Sequence, residues 1–174
     1  QTSISVSSSS VDSHSHTHGH NGTTNRHHHS SEVKHIQTDF SDSELQSHFK
    51  GVETVICTLT GSDLHLSGPL IDAASTAGIK LFIPAEYGLD TSNAKIRALL
   101  PPYRTRFEIQ EKLRASVMDW KVVYSGIGLE DAMKTDGVMG IDALWASAVV
   151  FTGSEKTEVA ISSYTDIARS ITGI

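Results

Sequence analysis

Along the chain, apolar positions switch between a period of two and a period near 3.6, and the switches mark the elements. Residues 2–7, TSISVS, alternate Ile4 and Val6 with small polar residues, which predicts a short strand. Residues 32–40, EVKHIQTDF, carry Val33 and Ile36 in a second strand pattern. The run SDSELQSHFKG then predicts a helix: Ser41 and Glu44 have the spacing of a capping box, Leu45 and Phe49 share a face, and Gly51 can stop it. VETVICTLTG predicts a strand through Val52, Val55, Ile56 and Leu59. In SDLHLSGPLIDAASTAG an apolar stripe of Leu66, Leu70, Ile71, Ala74 and Ala77 predicts a helix ended by Gly78. Pro69 moves its regular start to near Gly68. IKLFIPA is the next strand, PYRTRFEIQEKLRAS a helix opened by Pro102, DWKVVYSGIG a strand and YTDIARSITG a short last helix.

Strands alternating with helices from Glu32 onward predict right-handed crossovers and a mostly parallel, doubly wound α/β sheet. Ligands of such sheets bind beyond the carboxyl ends of the strands. Those ends read TDFSD, CTLTG, PAEYG and YSGIG, rich in small, polar and Gly residues. A cleft-lining rim has that composition.

Composition changes the picture in three places. Residues 8–31 hold almost no apolar side chain, so they are expected to form a disordered Ser/His-rich loop within one domain of 174 residues. Its histidines, His14, His16, His18, His20 and His27 to His29, invite a metal reading. A structural zinc site asks for fixed geometry and usually Cys partners, so no metal site is assigned. A net charge of −6 gives no basic footprint for nucleic acid, and no apolar run is long enough to cross a membrane. Cys57 is the only cysteine, which excludes an internal disulfide, favours core packing over nucleophilic chemistry, and points to a cytoplasmic setting.

The pieces TDFSDSELQSHFKGVETVICTLTG and LIDAASTAGIKLFIPAEYGLD resemble the NmrA-like and isoflavone-reductase-like branch of the atypical short-chain dehydrogenases, from about Glu32 to the end. The resemblance implies a Rossmann-like domain, NADP as cofactor with NAD as the alternative, and a small carbonyl or aromatic substrate. Asp39 then either faces the adenine edge or simply turns the chain. Thr58, Leu59 and Thr60 would line the cofactor, with Pro84 and Ala85 beside it. Glu86 is either a structural anchor or a substrate-side group.

Three departures from the family pattern bear on function. The Gly-rich turn G-x-x-G-x-x-G, which holds a pyrophosphate at a helix N-terminus, is absent. The chain opens on Gln1 and TSISVS matches the family's second strand, so the first strand is expected to lie upstream. The chain by itself is expected to be marginally stable and to bind dinucleotide poorly. Ser7 to Ser10 stand where the family commonly carries an Arg for the 2′-phosphate. RFEIQEKL fits the family spacing K-x-x-I-x-x-x-[IL] with Arg106 at the lysine position. A guanidinium orients or polarises a carbonyl but is a poor proton donor. No Y-x-x-x-K pair replaces it, because Thr91, Phe107, Gly128 and Ala168 follow the four tyrosines at that spacing. Three readings follow: an NADP-dependent reductase, a non-catalytic dinucleotide sensor acting on a partner protein, or an inactive fragment.

Overall fold

The computed structural model describes residues 3–7, 33–133, 140–142, 145–149, 152–154 and 156–174. The Ser/His-rich segment and its histidines lie outside them.

The centre is a three-stranded parallel sheet in the order β3 (Thr54–Ile56), β4 (Leu81–Ile83), β5 (Asp119–Trp120). Val55 sits beside Phe82, and Phe82 beside Trp120. The helix α1 (Asp42–His48) precedes β3, a 3₁₀ helix (Gly61–Leu66) runs into α2 (Ser67–Ala77) between β3 and β4, and α3 (Ala94–Leu99) and α4 (Pro101–Arg114) lie between β4 and β5. Apolar burial on one helix stripe and on central strand positions builds a single core. Leu45 and Phe49 share it with Leu70, Ile71 and Ala74 of α2, Phe82 of β4, and Ile109 and Leu113 of α4.

Local signals set the element ends. Gly78 terminates α2 at φ 76°, in the left-handed region that a glycine enters without penalty, and Ile79 N–H donates to the Ala74 carbonyl. Winding changes from 3₁₀ to α-helical between Leu66 and Ser67, so Pro69 falls in the first turn of α2, and prolines occupy the first two positions of α4; in a first turn a missing N–H costs nothing. Ser41 holds the N-cap position of α1 but its side chain makes no cap bond, and no capping box forms: Ser41 N–H donates to Asp39 Oδ1 at 2.7 Å, and Glu44 reaches past it to Asp39 N–H at 2.8 Å and Thr38 Oγ1 at 2.7 Å. Phe40, buried at φ 62°, turns the backbone so that these donors converge on Glu44.

Two expectations change in detail. The strands β1 (Ser3–Ser7) and β2 (Val33–Gln37) pair antiparallel, with Ile4 opposite Ile36, in a sheet of their own. A parallel pair needs a crossover, commonly a helix, and the sequence of residues 8–32 has no apolar stripe for one. The strand expected over DWKVVYSGIG is split: Asp119–Trp120 pairs with β4, and Ile127–Gly128 belongs to a separate two-stranded sheet. β4 ends before Pro84, which has no N–H to continue the ladder. The chain then runs on to β6 (Ile127–Gly128), which precedes the short helix α5 (Leu129–Ala132). β7 (Ile141–Asp142) pairs antiparallel with β8 (Ser147–Ala148), and β6 pairs parallel with β9 (Ile161–Ser162) ahead of α6 (Tyr164–Thr172). None of the described helices is long and apolar enough to cross a membrane.

Candidate functional site at the carboxyl ends of the strands

The β3 and β4 ends are tied together by Cys57 N–H, which donates to the Ile83 carbonyl at 2.8 Å. Beyond this tie the β3 end opens outward. Thr58 and Thr60 are exposed, Leu59 packs partly on the core, and Thr60 begins the 3₁₀ helix without using its hydroxyl as a cap. The β4 end turns inward instead, and Pro84, Ala85 and Glu86 are all buried. Cys57 itself is buried, with its sulfur 3.8 Å from Ser67 Oγ, and burial pushes its thiol up from the ordinary value. Those are the surroundings of a core residue rather than an activated nucleophile.

Glu86 heads a buried hydrogen-bond chain. Thr91 Oγ1 donates to Glu86 Oε2 at 2.9 Å, and Gln110 Nε2 donates to Thr91 Oγ1 at 2.6 Å and to the Tyr124 hydroxyl at 3.0 Å. Arg97 Nη1 fixes the same loop through the carbonyls of Thr91 and Ser92 at 2.7 and 2.6 Å. Burial raises the Glu86 carboxyl, against the bonds from Thr91 and Gln110 and the nearby charge of Arg106. Glu86 therefore anchors the loop after β4 to α4. Gln110, on the buried face between Ile109 and Leu113, is the polar signal within an apolar stripe that pattern reading passed over.

Gly88 is the meeting point of the rim. Its carbonyl accepts from Gly126 N–H at 3.0 Å, which brings the segment after β5 alongside. A Cβ on Gly88 would stand 2.7 Å from the Tyr103 hydroxyl and 2.9 Å from Arg106 Nη1, so α4 presses these two side chains onto bare backbone. Tyr103 is pinned there, its hydroxyl accepting from Leu89 N–H at 3.3 Å, and the Arg106 guanidinium carbon lies 5.2 Å from its ring centre.

Five buried side-chain polar atoms lack a hydrogen-bond partner among the described residues. Four belong to this rim: Tyr87 Oη, Arg106 Nε, Arg106 Nη1 and Ser125 Oγ. The fifth, His48 Nε2, still has Glu44 Oε1 at 3.8 Å. Burial pushes the Tyr87 phenol up to about 12, with Cys57 adding to the shift, so it stays a neutral donor. A buried donor left without a partner costs about 1–3 kcal/mol. Their concentration at the carboxyl ends of the sheet is what a polar ligand would satisfy.

Asp39 lies apart from this cluster in its hydrogen bonding. It is exposed, one carboxylate oxygen accepts from Ser41 N–H to close the turn, and hydrogen bonding from the Ser41 side chain and then its backbone lowers its carboxyl below the ordinary value. The rim thus joins Pro84, Ala85 and Glu86 to Arg106 through Gly88. It adds Tyr87, Thr91, Tyr103, Gln110 and Ser125, which motif reading did not select.

Comparison with known proteins agrees with this architecture. The chain is 36% identical over 106 residues to the oxidoreductase aprR of Aspergillus flavus, covering 59% of this chain and 36% of that protein. It is 27% identical over 151 residues to an NmrA-like family domain-containing oxidoreductase of Gibberella moniliformis, covering 79% of this chain and 49% of that one. It therefore spans about half the length, or less, of these relatives. Among solved structures it superposes on AtPrR2 with NADP+ and (+)pinoresinol at a TM-score of 0.64 and 21% identity, covering 76% of this chain and 45% of that one. It also superposes on leucoanthocyanidin reductase from Vitis vinifera at a TM-score of 0.60 and 17% identity, covering 77% and 47%. These likenesses establish a Rossmann-like α/β fold. The sequence model of the NmrA-like family matches residues 16–136, and the chain belongs to the NmrA-like family.

Proposed function

We propose that residues 1–174 contribute a single NAD(P)-binding Rossmann-like domain to an NADP-dependent reductase of small carbonyl or aromatic compounds, with NAD as the alternative cofactor. The observation that carries this reading is the partnerless buried guanidinium of Arg106 against the backbone of Gly88, with Tyr87 Oη and Ser125 Oγ also unpartnered on the strand-end segments PAEYG and YSGIG. Relatives described as oxidoreductases, and a related fold holding NADP+ and (+)pinoresinol, support it.

The residues present fit the nicotinamide and substrate half of such a site. Thr58, Leu59 and Thr60 would line one side, with Pro84, Ala85 and Glu86 on the other and Asp39 toward the adenine. The sequence supplies no Gly-rich turn for the pyrophosphate, so no residue of this chain is assigned to it. When bound, the nicotinamide supplies hydride. The chain's own groups would position the acceptor: Arg106 polarises its oxygen, Tyr87 offers a neutral donor, and Glu86 holds the loop through Thr91. The setting we propose is cytoplasmic, with a small-molecule substrate and neither nucleic acid nor membrane as partner.

A dinucleotide sensor acting on a partner protein is the second reading, favoured by Arg106, whose guanidinium stays protonated and so cannot cycle a proton as a lysine can. Calorimetric titration of NADPH into the chain, with NADPH absorbance followed against a panel of carbonyl compounds, separates them. Binding with turnover supports the reductase, and binding without turnover supports the sensor. With no Gly-rich turn in the sequence to hold the pyrophosphate, binding is expected to be weak, so the titration runs to millimolar NADPH, and absence of both at that concentration supports an inactive fragment.

A further inference from the structure

Arg106 is the least satisfied group in the rim. Nε and Nη1 are both buried without a hydrogen-bond partner among the described residues. Glu86, whose charge and that of Arg106 influence each other, accepts from Thr91 and makes no ion pair with Arg106 within 4 Å. Each of the two orphan nitrogens forms, with Nη2, an edge of two parallel N–H donors, and a carboxylate is the group whose two oxygens match such an edge. Beside the fork stands the Tyr103 ring, 5.2 Å away and held by Leu89 N–H, which offers a planar apolar wall. The absence of a side chain at Gly88 leaves the room in which both groups sit.

We infer that Arg106 is a specificity-determining residue that selects a ligand bearing a carboxylate next to a planar, aromatic or conjugated group, the carboxylate on the guanidinium edge and the planar group against the Tyr103 ring. The inference rests on the reading of the rim as a ligand site, and it narrows the proposed substrate from any small carbonyl or aromatic compound to an anionic one. A phosphate of the dinucleotide shares the anionic-oxygen chemistry, and the test separates the two sources.

Cinnamate and cinnamide are titrated into the whole chain by ligand-observed NMR, and NADPH is titrated separately by fluorescence. Cinnamate is expected to bind saturably and cinnamide on the order of tenfold or more weakly, the loss of a charged hydrogen-bonded pair. Arg106→Met is expected to lower cinnamate affinity to the cinnamide level. Arg106→Lys, which keeps the charge but not the fork, should fall between. Circular dichroism confirms folding, and if Arg106→Met unfolds the chain, Arg106→Lys carries the comparison. No saturable cinnamate binding, equal binding of acid and amide, or folded variants that bind cinnamate as the parent does would each overturn the inference. So would an Arg106→Met variant that loses NADPH affinity while keeping cinnamate, which assigns the fork to a phosphate. Arg106-dependent cinnamate binding without any NADPH binding leaves the inference standing and removes the reductase reading. NADPH binding with no discrimination between acid and amide does the converse.

Discussion

Replacing Gly88 and Gly126 by alanine, one at a time, separates two kinds of close approach at the rim. At Gly88 the added Cβ would meet the Tyr103 hydroxyl at 2.7 Å, Arg106 Nη1 at 2.9 Å and Tyr103 Cζ at 3.4 Å. All three are far ends of side chains that can swing away, and Gly88 does not hold a left-handed backbone. The cost is the long Leu89–Tyr103 bond and some repacking, about 1–2 kcal/mol, or roughly 3–6 °C in Tm for a chain of this size. At Gly126 the backbone is left-handed at φ 73°, and the added Cβ would lie 2.2 Å from the Ala160 carbonyl oxygen and 2.6 Å from its carbon. That oxygen accepts from Ile127 N–H at 2.9 Å and so holds β6 against β9. Nothing there can rotate aside, so left-handed strain and the backbone clash add to about 3 kcal/mol or more, roughly 6–12 °C. Urea and thermal unfolding of the parent and both variants, followed by far-ultraviolet circular dichroism, measure the difference. A Gly88→Ala variant as destabilised as Gly126→Ala would refute the reasoning, because it would mean that Tyr103 and Arg106 cannot yield.

Glu86→Gln should stabilise the chain progressively as pH rises. Burial lifts the folded-state carboxyl, so the native state holds the proton longer than the unfolded chain, and stability falls from about pH 4.3 upward through the raised value. Urea midpoints at pH 4 and pH 8 should converge at the acid end and favour the glutamine variant at the alkaline end. Thr91→Val removes the link between Gln110 and Glu86 and should cost about 1–3 kcal/mol, while Thr91→Ser restores most of it; equal loss from both variants would place the effect in packing instead. Cys57, buried and with its thiol raised, should react with iodoacetamide at pH 8 only as fast as the chain opens, as mass spectrometry across a urea series would show.

Much of the element order was legible because its signals are local. Ser41 precedes α1, Gly78 ends α2, Pro69 lies in its first turn, and the prolines open α4, each a signal that acts within a residue or two. The short helix α3 escaped pattern reading although Asn93 caps it by accepting from Lys95 N–H at 2.9 Å, because it buries no side chain and so has no apolar stripe to show. β5 was over-extended because Val122 and Val123 favour strand while β4 stops at Ile83. Gln110 is not legible as a site residue in the sequence, because only the packing of α4 puts it on the buried face with Ile109 and Leu113.

By itself the sequence determined the alternation of strands and helices, the small and polar residues at the carboxyl ends, and the arginine at the lysine spacing. Each depends on periodicity and on side-chain types a few residues apart. Only the tertiary structure decided that Arg106 meets Gly88 with two nitrogens unpaired, that Gly126 brings Ser125 to the same point, and that β1 and β2 pair antiparallel. Those outcomes turn on how elements far apart in the chain pack and exclude water, and polar groups at such a junction are satisfied or orphaned by the approach of neighbours that no local pattern records.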